Sequence, residues 1–338
     1  MKTASRLERV LDEGHFAVTT ECGPPRGSNA EVIRKKGELL RGFVDAINVT
    51  DNQTSVVRMA SIAACVMLKE MGLEPIVQMV TRDRNRISLQ SDILGAAGLG
   101  LNAILCLSGD HQTFGDDPEA KNVFDIDSIQ MVQMVSEMRD KHTFQCGDPI
   151  KGVEPRFFVG AAAAPFAGPV EYRPYRLAKK VQAGANFIQT QLIYDIAAFK
   201  VFMEKVRQLG LHEKTFILAG VGPLKSPAMA KYMKESVPGI LVPDELIRRM
   251  TDVGAPWASK KKDELTKEDK KARGEAYKTE GIKICIELIQ QLQEIEGVAG
   301  VHVMSIEWEE AIKPIADGAG LLPRPVMTEK ISANATDS

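Results

Sequence analysis

Eight short apolar runs alternating with about eight amphipathic segments constrain this chain more than any other feature. The runs are FAVTTE (16–21), DAINVT (45–50), EPIVQMV (74–80), LNAILCL (101–107), RFFVGAAA (156–163), ANFIQTQ (185–191), TFILAG (215–220) and VHVMS (301–305). Short, nearly continuous apolar runs bounded by glycine suit parallel strands covered on both faces. Their alternation with helices, without a break in composition, predicts a single (β/α)8 TIM barrel over residues 1–327. The seventh and eighth runs lie far enough apart for an insertion: a Pro-bounded helix near Asp244 to Met250, a mixed-charge stretch, and a long helix near Tyr277 to Glu294. The tail, 328–338, is small and polar and is expected to be flexible. A doubly wound sheet is the competing architecture. Gly95, Gly98 and Gly100 do not support it, because they precede a strand where a dinucleotide loop follows one.

Local signals fill in the pattern. Ser28 with Glu31 three residues later reads as a capping box for a helix carrying Val32, Ile33, Leu39 and Leu40. Ser55 is expected to open the next helix, through Met59, Ile62, Ala63, Val66 and Met67, which ends at Gly72. Residues 113–124 form a polar loop of the length that usually serves binding.

Charge narrows the partners. A net charge of −2 and a pI near 6.3 give no overall field for nucleic acid or an anionic membrane, so a small molecule bound at a local site is expected. The run from Lys260 to Arg273 interleaves acids and bases and reads as a solvated face. No stretch of about 18 apolar residues occurs, and the first residues lack a signal-peptide core, so a cytoplasmic protein is expected. The five cysteines form no CxxC pair and signal neither a disulfide framework nor a thiolate metal site.

In such a barrel the chemistry sits at the carboxyl ends of the strands. Those ends offer Glu21, Thr50, Gln78 with Thr81, Asp110, the alanine run to Ala164, Gln189 or Gln191, and a Gly-Val-Gly turn. They hold no Ser-His-Asp order, no HExxH and no His/Asp cluster, so no catalytic metal is expected. Amides with few acids suit a flat heterocycle such as a pterin or flavin, because glutamine both donates and accepts. Glu21 is the candidate proton donor; the competing reading pairs it with Arg26 or Arg82 in a structural ion pair. Asp110 reads either as a chemical group or as a turn cap. His302 reads as a core residue, and Cys22 as packing.

Three motifs, at the ends of strands one, four and six, resemble those of the methylenetetrahydrofolate reductase family: TTECGPPRG (19–27), LSGDHQ (107–112) and AGANFIQTQLIYD (183–195). The resemblance spans nearly the whole chain. It implies a flavin-dependent enzyme of one-carbon metabolism and methionine biosynthesis, in which hydride passes from flavin N5 to 5,10-methylenetetrahydrofolate to give 5-methyltetrahydrofolate. It places Glu21 on the general acid, Asp110 on the aspartate near flavin and pterin, and Gln191 on the folate-binding glutamine. Thr50, Gln78, Ser108, Gly109, Asp110, Ala164 and Lys180 fall on cofactor contacts. The implied cofactor is FAD. FMN is the alternative, because the family's arginine is Ser108 here, its histidine is Gln78, and its aromatic residue near Ala164 is missing. NAD(P)H or a protein is the implied electron donor. Residues 236–275 fit the pattern least and are read as a docking surface for a partner subunit, with a homo-oligomer also open. Two other readings remain: a folate-dependent methyl-transfer barrel without flavin, and a non-catalytic flavin- or folate-carrying subunit.

Overall fold

The computed structural model describes residues 1–258 and 264–327; the expected flexible tail and part of the mixed-charge run lie outside the described residues. The chain opens with α1 (Arg6–Asp12), β1 (Ala17–Cys22), α2 (Ala30–Leu40), β2 (Ala46–Val49), α3 (Ser61–Glu70) and β3 (Pro75–Val80). It continues through α4 (Arg86–Gly98), β4 (Ala103–Leu107), α5 (Ser128–Asp140), β5 (Phe158–Ala163), α6 (Arg173–Gln182) and β6 (Phe187–Leu192). Then come α7 (Ile196–Gln208), β7 (Phe216–Val221), α8 (Pro227–Ser236), α9 (Asp244–Val253), α10 (Lys267–Gln293), β8 (Val298–Val303) and α11 (Ile312–Gly318). All eight strands pair in parallel with their sequence neighbours, and β8 returns to β1, so the expected (β/α)8 barrel closes. Among the described residues, three α-helices occupy the connection from β7 to β8.

Strand periodicity sorts the side chains. On β1, Val18 and Cys22 face the helices, while Ala17 faces the barrel interior. The interior floor is apolar: Ala17, Ala46, Ile76, Ala103, Leu105, Phe158, Phe187 and Leu218, with Phe158 stacked on Phe187 at 5.0 Å. Leu7, Val10 and Leu11 of α1 plug this floor from the amino-terminal end, three residues at the i, i+3, i+4 spacing of one helix face. Full burial of each such side chain contributes roughly 1.5–3 kcal/mol. The polar residues of the strands therefore collect above a dry floor, at the carboxyl end.

Two helix starts differ from expectation. Asn29, not Ser28, caps α2, accepting from the Glu31 amide at 3.0 Å; the two residue types are about equally good caps. The larger difference is α3, which begins at Ser61 and not at Ser55. Residues 51–60 instead form a mouth loop in which Asn52, Thr54 and Ser55 take positive φ. The Ser55 hydroxyl donates to the carbonyls of Asp110 and His111, and the chain at Gly115 lies so close that a Cβ there would stand 1.8 Å from the Ser55 carbonyl oxygen. Contact with the β4 loop thus overrides the local helix signal. Among the described residues, no helix is long and apolar enough to cross a membrane.

Candidate active site

Above the floor lies a polar layer. Asn48 of β2 and Gln189 of β6 exchange amide hydrogen bonds across the interior at 2.7 and 3.0 Å, and the Gln189 amide also donates to the Thr19 hydroxyl at 3.1 Å. That hydroxyl lies 2.9 Å from Nδ1 of His302, whose Nε2 stands 3.6 Å from a carboxylate oxygen of Glu21. Parallel registry makes this chain of contacts: Thr19 pairs with His302 across β1 and β8, and Glu21 follows two residues on, on the same face. Asn48, Gln189, Thr19 and His302 are buried, whereas Glu21 is about one-sixth exposed, with its side chain 17% accessible. The arrangement sets the carboxylate beside a buried histidine whose other nitrogen is already engaged.

Glu21 opens into a cavity of about 320 Å³. Leu105, Leu107, Ala162, Ala163, Ala164, Leu177, Phe202 and Met304 give it apolar walls; Gln78, Gln189, Gln191 and Thr190 give it polar groups; Arg173, Arg176 and Lys180 line it from α6. The pairing of β6 with β7 slips between Gln189 and Leu192. There the Thr190 hydroxyl accepts the Gly220 amide at 2.8 Å, and Gly220 is required because a Cβ would stand 2.2 Å from the Thr190 carbonyl oxygen. Gln191 sits within this irregular stretch. Its side-chain oxygen accepts the Leu192 amide at 2.9 Å, leaving the amide nitrogen for a ligand.

The structure therefore brings Glu21, Gln78, Ala164, Lys180 and Gln191 onto one cavity and sets the remaining expected residues apart from its lining. Asp110 is exposed, and its carboxylate accepts from the Thr54 amide at 3.2 Å. Ser108 lies against the start of α5, its hydroxyl accepting from the Ser128 amide at 3.2 Å. Gly109 holds φ +87°, and a Cβ there would stand 3.1 Å from Val80, so the corner needs glycine. Thr50 is buried with its hydroxyl oxygen lacking a hydrogen-bond partner. The ion-pair alternative for Glu21 is not what forms: Arg26 pairs with Asp116, and Arg82 pairs with Asp83 at 2.7 Å. Sequence reasoning missed His302, Thr19 and the arginines of α6. His302 is indeed core, as read, but the same residue faces Glu21; two-residue alternation shared by strands one and eight was the available signal.

Lys180 is the most perturbed base here. Burial, with Arg176 repelling it, pushes its pKa down from 10.5 to about 8, and its ammonium donates to the Ala162 carbonyl. Between pH 8 and pH 10.5 the unfolded chain then binds more protons at this position than the folded one. The destabilisation is full below the lower value and fades as pH rises to the higher. Lys180→Met is therefore expected to gain stability relative to the parent at neutral pH and to lose that advantage by about pH 10. Urea midpoints at the two pH values check this; a difference that does not change with pH defeats it.

A flat heterocycle bearing an anionic group fits this donor set: apolar walls, amides that donate and accept, and a cationic side. The family model for methylenetetrahydrofolate reductase matches residues 6–320. A probable methylenetetrahydrofolate reductase (NADPH) of Caenorhabditis elegans is 24% identical over 334 residues, covering 94% of this chain and 44% of that protein. Methylenetetrahydrofolate reductase 2 of Schizosaccharomyces pombe is 28% identical over 240 residues, covering 67% of this chain and 32% of that protein. The chain thus spans less than half the length of these curated relatives. Among solved structures, an uncharacterized protein from Clostridium thermocellum that binds two copies of 5-methyl-5,6,7,8-tetrahydrofolic acid superposes with a TM-score of 0.61. It is 15% identical, over 94% of this chain and 100% of that one, a likeness of fold.

Proposed function

This chain belongs to the methylenetetrahydrofolate reductase family, and from that premise we propose that it reduces 5,10-methylenetetrahydrofolate to 5-methyltetrahydrofolate using a bound flavin. The observation that carries this reading is Glu21: it is the carboxylate of an otherwise apolar, amide-lined and cationic cavity, with His302 3.6 Å behind it and Thr19 against the other nitrogen of that ring. FAD is the proposed cofactor, with FMN as the alternative, and when bound it supplies the hydride. NAD(P)H or a partner protein is the proposed source of electrons.

The residues divide the remaining work. When the bond between the methylene carbon and N10 breaks, N10 needs a proton, and Glu21 supplies it; such general acid help contributes about 10²- to 10⁴-fold. His302 then faces the carboxylate left behind and keeps it oriented for reprotonation. Gln191, with its amide nitrogen free, pairs with the pterin edge, and Gln78 reaches the same cavity from β3. Gln78, Ala164 and Lys180 hold the cofactor from the cavity lining, Thr50 lies outside that lining, and the Ser108–Gly109 corner shapes the rim. Asp110 acts from that rim, its negative charge favouring the cationic form of the substrate through space and not by contact inside the cavity.

An absorbance spectrum of the purified protein, with mass identification of the released cofactor and an assay of methylenetetrahydrofolate reduction, tests the proposal. A flavin spectrum with turnover is expected. Colourless protein that releases no flavin and cannot be loaded with one sinks it.

A further inference from the structure

Arg82 follows β3 at the mouth of the barrel and lies outside the cavity lining, with its side chain only 3% exposed. A cation buried this deeply is unfavourable unless its charge and its donors are met. Here every N–H of the guanidinium has a partner. Nε and Nη2 donate to the two carboxylate oxygens of Asp83, each at 2.7 Å. Nη1 donates to the Ser55 hydroxyl at 2.8 Å and to the Asp110 carbonyl at 3.0 Å, and Nη2 also donates to the Asn52 carbonyl at 3.3 Å. The Ser55 hydroxyl passes the link on to the carbonyls of Asp110 and His111. One side chain thus joins the loop after β2 to the corner after β4.

That loop is also what holds the Asp110 carboxylate, through the Thr54 amide at 3.2 Å. Asn52, Thr54 and Ser55 reach this arrangement at φ of 44°, 55° and 58°, a region that non-glycine residues keep only where surrounding contacts over-determine it. Arg82 supplies such contacts at Asn52 and Ser55, on either side of Thr54. Because Asp83 answers the guanidinium charge, the Asp110 carboxylate is left without an ion pair among the described residues.

We propose that Arg82 is a positioning residue for folate reduction: it holds the 52–55 loop and the Asp110 corner as one unit and so fixes the point from which the Asp110 charge acts. The inference rests on the role given to Asp110 above and adds the residue that sets it. A through-space interaction weakens with distance and with access of water, so a loosened corner loses its effect while keeping its carboxylate.

The test compares the parent with Arg82→Met, Asp110→Asn and the double variant in two measurements. In the first, the flavin of the holoenzyme is photoreduced and its reoxidation by methylenetetrahydrofolate is followed by stopped flow. Each single variant is expected to slow this step roughly 10-fold or more, and the double variant to be no slower than the slower single. Effects that multiply in the double variant overturn the assignment and leave the role of Asp110 standing. The second is hydrogen–deuterium exchange of flavin-free protein, in which Arg82→Met should exchange faster at 51–60 and 108–116 while α5 to α7 stay as in the parent. Unchanged exchange in those two segments overturns the proposal, and so does a uniform increase around the barrel, which marks a residue that serves stability alone. Should Arg82→Met fail to fold, Ser55→Ala removes the bridging hydroxyl without stranding a buried charge, and parental rate and exchange in that variant overturn it equally. If Asp110→Asn reduces folate at the parental rate, the role of Asp110 falls and this inference with it; if the parent reduces no folate, the reductase reading falls as well.

Discussion

Glu21→Gln is expected to abolish reduction of methylenetetrahydrofolate, by about 10²- to 10⁴-fold, while flavin reduction by the electron donor stays near the parent rate. The two half-reactions separate because only the folate step needs a proton delivered to N10. Glutamine keeps the size of the side chain and can stand at the same 3.6 Å from His302, so the cavity should keep its shape. A steric or folding defect would slow both half-reactions; loss of the proton slows one. Stopped-flow measurement of each half-reaction decides the matter, and undiminished folate turnover in the variant would falsify the role given to Glu21.

The largest stability effect is expected far from the cavity, at the opposite end of the barrel. Asp45, just before β2, has a fully buried side chain that accepts the Val18 amide at 2.8 Å. Its charge is met by Arg324, which also donates to the Phe16 carbonyl at 2.8 Å, with Arg6 farther off at 3.9 Å. Arg324 follows α11, so this pair ties the end of the barrel chain back to its first two strands. Arg324→Ala leaves a buried carboxylate short of its main counter-ion and should cost about 3–5 kcal/mol in chemical denaturation. Asp45→Asn added to it should recover part of that loss, because the charge is removed and the Val18 contact is kept. A double variant less stable than Arg324→Ala would show that the charge is not the cause.

Much of the fold was legible because its determinants are local. Each of the eight apolar runs overlaps a strand, although β8 begins at Val298, three residues before its run, since a strand covered on both faces announces itself in a few consecutive residues. Gly72 and Gly184 take the positive φ expected where helices end, at 74° and 108°. The misplaced start of α3 is the counterexample. Ser55 carries a sound local helix signal, but its hydroxyl is drawn to Asp110 and His111, more than fifty residues away, and no local pattern records that attraction.

The site divides along the same line. That Glu21, Gln78 and Gln191 would stand at strand ends followed from the order of the runs and the rule that parallel barrels place their chemistry there. Which of those ends share a cavity did not. The sequence by itself determined the barrel, its apolar floor and the choice of residues at its rim, because two- and 3.6-residue periods are written in neighbouring side chains. Only the tertiary structure decided that His302 backs Glu21, that Asp110 turns away toward Thr54, and that three cations of α6 line the same cavity as Glu21. Those outcomes depend on strand register around a closed sheet and on loops packed against distant loops, distances that no stretch of sequence contains.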